Sequence, residues 1–500
     1  MRKTIRSSLP VLFCLSVVLS GSALAGAAVV GGSGSSDAER AHRIENGLLP
    51  AIMIKGQDPR GMNLQERMAH YKVPGVSIAF FSEGKVRWTR VYGYADVAKK
   101  TPVTLETLFQ AASISKPIST LAMLRLVQAG KLNLDEDVNV KLKSWKVPDN
   151  EFTREQKVTL RRIVSHSAGL TVHGFGGYPT DAPLPTLVQV LDGLPPANSK
   201  AVRVETIPGS KWSYSGGGYT VMQMLLTDVT GMAFPDLLSQ EVLRPIGMSH
   251  STFALPLPLT QRQHAASGYG GDGKVIAGDF HVYPEMAAAG LWTTPSDLAL
   301  AAIEIQNDYA GRHNKVLTKD MAHQMLTHQK DAWGLGVALS AVDHPLRFGH
   351  GGSNEGFQCD LVAYMGSTQG MAVMTNADGG RALIGEIESA FAQEYGWPDF
   401  KPELKTTVSI DAAKLSTYAG AYLLAIPDPS KPKVHLTAEG ARLFLQADPL
   451  GPDPVELFAE SETDFFAAQG FGVTFHKNES GAVTNLTVHF GQDIEATKIP

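Results

Sequence analysis

The strand-like segments of this 500-residue chain fall into two groups far apart in sequence, and that separation constrains the fold more than anything else it contains. The first group, Val76 to Phe81 and Val86 to Val91, is joined by Ser82-Glu83-Gly84-Lys85 and reads as a hairpin. The second comprises Gly334 to Leu339, Phe357 to Tyr364 and Gly370 to Asn376, followed by a helix-like run from Ile384 to Tyr395. Between the groups, from Pro117 to about Tyr309, helix-like segments and loops dominate, including Tyr219 to Val229. Strands first, helices inserted and strands last is the order produced by a helical subdomain inserted beside one antiparallel sheet. The expectation is an α+β fold whose pocket lies where sheet and insertion meet.

The chemistry-bearing residues stand at that junction. Ser113 and Lys116 are three apart in Ser113-Ile114-Ser115-Lys116, where a loop ending Phe109-Gln110-Ala111-Ala112 gives way to an apolar run from Ile118 to Val127. The run stops at Gly130, and glycine is common just past a helix end. Ser113 is therefore expected at a helix N-terminus, where unpaired N–H groups and the macrodipole favour negative charge, with Lys116 one turn later on the same face. A serine hydroxyl must lose its proton as it attacks a carbonyl. A lysine can take that proton only when neutral, so burial or a second cation has to bring its ordinary pKa of about 10.4 down. Tyr214, in Ser213-Tyr214-Ser215-Gly216, could relay the proton if the same surroundings lowered its phenol from about 10. Singly, these residues read as a helix cap, a solvated charge and an amphipathic core residue. Together with Phe348-Gly349-His350-Gly351-Gly352-Ser353-Asn354-Glu355-Gly356-Phe357 they read as a site. Glycines beside the apolar segment Asp360 to Met365 suggest a backbone approached closely by substrate, an edge strand that offers an N–H to an oxyanion.

On these residues the chain resembles the serine β-lactamase and penicillin-binding-protein superfamily, in the branch of class C β-lactamases, DD-peptidases, D-aminopeptidases and esterases. The resemblance runs from about Leu64 to Trp397. It includes Val73-Pro74-Gly75-Val76, Ile163-Val164-Ser165-His166-Ser167-Ala168-Gly169-Leu170, Pro208-Gly209-Ser210-Lys211-Trp212-Ser213-Tyr214, Leu243-Arg244-Pro245-Ile246-Gly247-Met248, Ala288-Ala289-Gly290-Leu291-Trp292 and Trp333-Gly334-Leu335-Gly336. S-x-x-K is the family's signature of the nucleophile. By position the resemblance implies Ser113 as the acylated nucleophile, Lys116 as its base and Tyr214 as the proton relay. It implies an oxyanion hole from the backbone N–H groups of Ser113 and Ser353, with His350, Gly351 and Gly352 standing where the family has K-T-G. Two positions depart from the pattern: Gly216 replaces the asparagine of Y-x-N, and His350 the lysine of K-T-G. A histidine is largely neutral at neutral pH and is a weak anchor for a substrate carboxylate. The resemblance thus implies an acyl-enzyme hydrolase of D-amino-acid peptides or small esters, ahead of a class C-type β-lactamase or a penicillin-binding pseudoenzyme that serves as a scaffold.

The remaining sequence sets context. Arg2, Lys3 and Arg6 precede an apolar stretch from Leu9 to Leu19 and the small-residue pattern Ser22-Ala23-Leu24-Ala25, which reads as a signal peptide over 1–25 and places the chain in a bacterial periplasm or outside the cell, with no membrane span left after cleavage. Cleavage would make the chain more acidic than its formal charge of −5, which argues against a nucleic-acid partner. Cys359 would then be the remaining cysteine; its apolar neighbours suggest a buried thiol. His166 reads as loop packing and Asp297 as a helix-start residue. His173, His281 and His344 lack metal-ligand spacing, so neither metal nor cofactor is expected. Residues 26–48 read as a flexible leader and 49–400 as the hydrolase domain. After Lys401 short strand-like segments recur at Lys433 to Thr437, Arg442 to Gln446, Val455 to Ala459, Gly472 to His476 and Val483 to Phe490. Residues 401–500 thus resemble a lipocalin-like barrel. It is expected to stabilise the enzyme or mediate homo-oligomers, or to border the active site with one of its loops.

Overall fold

The computed structural model describes residues 35–58, 60–426, 432–447, 454–490 and 492–499. Its central sheet has seven antiparallel strands in the order 101–102, 85–96, 75–82, 370–375, 357–364, 347–354 and 338–339. The expected hairpin is the pair Gly75–Ser82 and Lys85–Asp96. Its first strand pairs with Gly370–Thr375, Val76 opposite Thr375 and Phe81 opposite Gly370, so the two sequence groups meet in the middle of the sheet. Both faces of that strand are covered. Ala79 and Phe81 enter the core shared with the helical insertion, and Val76, Ile78 and Phe80 enter a second core with Phe391 and Trp397. Burial on both sides explains why the strand reads as an unbroken apolar run rather than an alternating one.

The terminal helix runs Gly380–Tyr395 and begins earlier than its apolar run suggests. Its first glycine serves close packing, since a Cβ on Gly380 would lie 1.9 Å from Thr375 Oγ1. Of the strand expected at 334–339 only Ala338–Leu339 forms one. Gly336 instead sits at φ +82° against Thr120, in a turn closed by the Gly334 N–H donating to Val337 O. The eight-residue strand Arg347–Asn354 takes the place near the sheet's end. Ala338–Leu339 covers only Phe348 and Gly349 of it, so the edge from His350 to Asn354 faces the helical insertion, as the glycine pattern implied.

In the insertion, the helix Ser115–Gln128 is buried on nearly every side, which is what a helix without a polar face requires. Asp297 is the expected helix-start residue, its N–H capped by Thr294 and its carboxylate accepting from His250 N–H and Ser251 Oγ.

From Gly420 to Ile499 eight strands close into an antiparallel barrel, each paired with its sequence neighbours. The strands Asp464–Ala467 and Gln492–Ile499, unforeseen from the sequence, complete it. Leu415 to Tyr418 lie in the helix Ala412–Tyr418, just before the first strand. Leu415 and Tyr418 are buried there against Tyr422, Leu443, Phe465, Phe475 and Leu486, so side chains fill the barrel interior. Ile52–Ile54 pairs in parallel with Glu403–Lys405, and Ile52 N–H donates to Ala468 O, which ties the barrel to the segment that precedes the central sheet.

The expected signal peptide lies outside the described residues. Part of the expected flexible leader is ordered: Ser35–Glu45 is a helix, held because Ala41 and Ile44 enter the second core and Arg43 makes a two-pronged contact with Glu394. No helix among the described residues is long and apolar enough to cross a membrane.

Candidate active site

The turn Ala112–Ile114 is a single 3-10 turn running into the helix Ser115–Gln128, so Ser113 stands just before the helix proper. Ala112 has φ +48°, a left-handed conformation that costs free energy for a residue with a Cβ. Packing imposes it. Ala111 and Ala112 are fully buried, Ala111 N–H donates to Leu291 O, and the Cys359 thiol donates to Ala111 O at 3.1 Å. Cys359 is the buried thiol expected, pushed up in pKa by that burial.

Lys116 Nζ lies 2.9 Å from Ser113 Oγ and 2.9 Å from the carbonyl of Ala288, and only 2% of the residue is exposed. Burial alone brings its pKa from 10.5 down to about 7; the second cation anticipated from the sequence plays no part. The Tyr214 phenol stands near the Ser113 hydroxyl, and its ring centroid is 4.9 Å from Lys116 Nζ. The condition of a lowered phenol is not met: burial outweighs the effect of the Ser113 hydroxyl and pushes it up to about 12. Tyr214 is therefore a neutral phenol at neutral pH, able to relay by passing one proton as it receives another.

Two histidines brace this centre. His166, 1% exposed, accepts the Ser215 N–H on Nδ1 at 3.1 Å and stacks on Tyr214 at 4.1 Å, so the expected packing role includes setting the plane of the tyrosine ring. His350 places Nδ1 2.6 Å from Gly351 O, which fixes the ring proton there. Burial and the nearby Lys116 drive its pKa down to about 3, so it offers no cation to a carboxylate.

The edge strand comes close because Gly352 has no side chain: a Cβ there would lie 2.3 Å from Ala111 O and 2.4 Å from Cys359 Sγ. Asn354 Nδ2 donates to Gln110 Oε1 at 2.7 Å and to Ala289 O at 3.2 Å, tying the strand to the segment before Ser113 and to the helix Met286–Ala289. Ser353 Oγ accepts from Gln358 Nε2 at 2.9 Å. Ser113, Lys116, Tyr214, His350, Gly352 and Ser353 all line one cleft of about 570 Å³. No described residue of the barrel lines it.

Phe175 and Arg381, which sequence reasoning passed over, also line the cleft, together with Trp333 of the Trp333-Gly334-Leu335-Gly336 motif. Trp333 packs edge-on to His166 at 5.0 Å and to His350 at 5.5 Å. Arg381 Nη1 lies 3.0 Å from Asp360 Oδ2, beneath the edge strand. Asp360 and Glu388 are both buried there, and burial raises the pKa of each, while Arg381 pairs with Asp360. Glu285 was missed as well. It is fully buried, neither carboxyl oxygen has a partner, and burial raises it to about 7.

A sheet interrupted by a helical insertion, with serine, buried lysine and tyrosine meeting where the two join, defines the β-lactamase-like class of fold. The chain belongs to the beta-lactamase family, whose model matches residues 62–393. Residues 404–499 match a second model, described as a domain of unknown function, DUF3471. Penicillin-binding protein 4* of Bacillus subtilis is 24% identical over 445 residues, which cover 83% of this chain and 93% of that protein. Among solved structures, the octameric penicillin-binding protein homologue from Pyrococcus abyssi superposes with a TM-score of 0.59 at 21% identity, covering 87% of this chain and 98% of that one. The D-amino acid amidase of Ochrobactrum anthropi gives 0.54 at 20% identity, covering 71% and 99%. At such identities the structural likeness establishes the fold.

Proposed function

We propose that this protein is an exported serine hydrolase that works through an acyl-enzyme on Ser113. The observation that carries the reading is the contact between Ser113 Oγ and a lysine that burial makes half-neutral near pH 7. Ser113 Oγ attacks the carbonyl carbon as its proton passes to Lys116, and the carbonyl oxygen gains the negative charge. The backbone N–H groups of Ser113 and Ser353 receive that oxyanion. The bond to the leaving group breaks as Tyr214 delivers a proton to it and recovers one from Lys116. Water then enters by the same route in reverse, its proton returning through Tyr214 and Lys116, and the acid product leaves.

Small amides and esters, D-amino-acid peptides among them, suit the cleft. With His350 neutral, Arg381 is the cation available to a substrate carboxylate. The D-amino acid amidase neighbour supports the amide reading, and the octameric neighbour supports self-association, which we place at the barrel.

The test is an intact-mass time course with a penicillin and with a fluorophosphonate, run beside Ser113→Ala. A covalent adduct on wild type and none on the variant is expected. Adduct formation by Ser113→Ala at the wild-type rate refutes the assignment. Rapid consumption of the penicillin without a lasting adduct would instead move the substrate reading to a β-lactamase.

A further inference from the structure

One wall of the cleft is shaped by a glycine. Gly216 opens the helix Gly216–Thr230 two residues after Tyr214. Its N–H donates to His173 O at 3.0 Å, and the N–H of Gly217 donates to Val172 O at 3.0 Å. Ser215 Oγ adds a bond to Thr171 O at 2.8 Å. These bonds clamp residues 171–173 across the helix start and use up two N–H groups that a helix N-terminus otherwise presents to an anion. Val172 is held at φ +64° within the clamp, so the path of the loop is imposed rather than relaxed.

The consequence falls on Phe175. A Cβ on Gly216 would lie 3.1 Å from Phe175 Cε2 and 3.1 Å from His173 O, so the phenyl ring rests against a backbone that has no side chain to hold it off. The ring is half-buried, packs against the main core and lines the cleft. The helical insertion thus contributes Phe175, Tyr214 and Ala288 to the cleft, whereas the sheet side contributes Ser353, Gln358 and Arg381. Beside Lys116 and His173 on the insertion side, Phe175 and Ala288 supply apolar surface, whereas the sheet side is polar with a cation. A substrate carbonyl seated at Ser113 lies between them.

Resting on the acyl-enzyme reading, we infer that Phe175 forms an apolar subsite for the acyl group, and that the enzyme selects acyl groups with a phenyl or comparably bulky apolar body over acetyl. Desolvating such a group against the ring favours it over one that cannot reach, and pocket contacts of this kind discriminate by about 10- to 200-fold.

The experiment compares p-nitrophenyl phenylacetate with p-nitrophenyl acetate, which share a leaving group, in wild type, Phe175→Ala, Phe175→Leu and Gly216→Ala. Fluorophosphonate labelling of Ser113 is read in each. The expected ratio of kcat/KM, phenylacetyl over acetyl, is at least about tenfold in wild type. Phe175→Ala lowers that ratio about tenfold, and Phe175→Leu retains most of it. Gly216→Ala lowers it too, because the new methyl displaces the ring. A general loss of structure would depress both esters together and leave their ratio alone. A wild-type ratio near one, or a ratio unchanged in both Phe175 variants while Ser113 still labels, overturns the subsite and spares the acyl-enzyme. Absence of both ester turnover and labelling in wild type overturns the two together.

Discussion

The state of Lys116 should govern the pH dependence of acylation. Of the described groups lining the cleft, His350 is driven down to about 3 and Tyr214 up to about 12, whereas Lys116 lies at about 7. If only the neutral amine accepts the serine proton, about nine-tenths of the enzyme is competent at pH 8 and about one-tenth at pH 6. Acylation should therefore fall about tenfold between those pH values, and about tenfold more for each further unit. The assay is the single-turnover rate of fluorophosphonate labelling, followed by intact mass from pH 5 to 9. His173 also lines the cleft, so the profile is repeated in His173→Gln to exclude its contribution. Lys116→Arg supplies a guanidinium with a pKa above about 12 and should lose acylation throughout, by about 1000-fold or more. A flat profile in His173→Gln, or wild-type rates in Lys116→Arg, would refute the role of lysine as base.

The same burial makes Lys116 a liability for the fold. Its folded pKa lies below its unfolded one, so the cost is full below pH 7 and fades as pH rises towards 10.5. At pH 7 that cost is up to about 5 kcal/mol, of which the hydrogen bonds to Ser113 and Ala288 offset about 2 kcal/mol. Lys116→Met should thus be inactive yet more stable by about 2 to 3 kcal/mol in urea denaturation at pH 7, with a smaller gain at pH 10; equal or lower stability at pH 7 would count against it. Gly352→Ala places a methyl 2.3 Å from Ala111 O and 2.4 Å from Cys359 Sγ, so the edge strand must retreat and labelling of Ser113 should slow about 100-fold. Glu285, raised by burial from 4.5 to about 7, contributes stability that is full below pH 4.5 and lost as pH rises through 7. Glu285→Gln should flatten that dependence, worth about 3 kcal/mol, and an unchanged slope of Tm against pH would show that the carboxyl is not the cause.

Chemistry of strong local signature was legible in the sequence, and chemistry created by packing was not. Ser113 and Lys116 announce themselves because one helical turn must bring them together, and the ordered motifs around Tyr214 place it beside them. The depth of their burial was less visible, and it is that burial which pushes the Tyr214 phenol up rather than down. Arg381 was hidden because the apolar run starts only at Ile384, whereas the helix begins at Gly380, where the lack of a Cβ lets it touch Thr375. Phe175 gave no signal, since its loop is positioned by backbone bonds to a helix start that only the fold brings near. The split sheet was readable from the order of the strand groups. The edge strand Arg347–Asn354 was visible only through its glycines, and Gly334 to Val337, apolar enough to pass for a strand, is diverted into a turn against Thr120.

The pairing of Gly75–Ser82 with Gly370–Thr375 sets the order in which this molecule can mature. As the chain emerges, the hairpin appears first, with apolar residues on both of its faces and no third strand to cover its open edge. The whole helical insertion must then be made before that partner exists. Such distant pairing carries a large loop-closure cost and slows folding, and it leaves an aggregation-prone edge exposed meanwhile. The edge strand that walls the cleft also comes from the late segment, so a fragment ending before residue 347 would hold Ser113, Lys116 and Tyr214 and still have no site in which to use them.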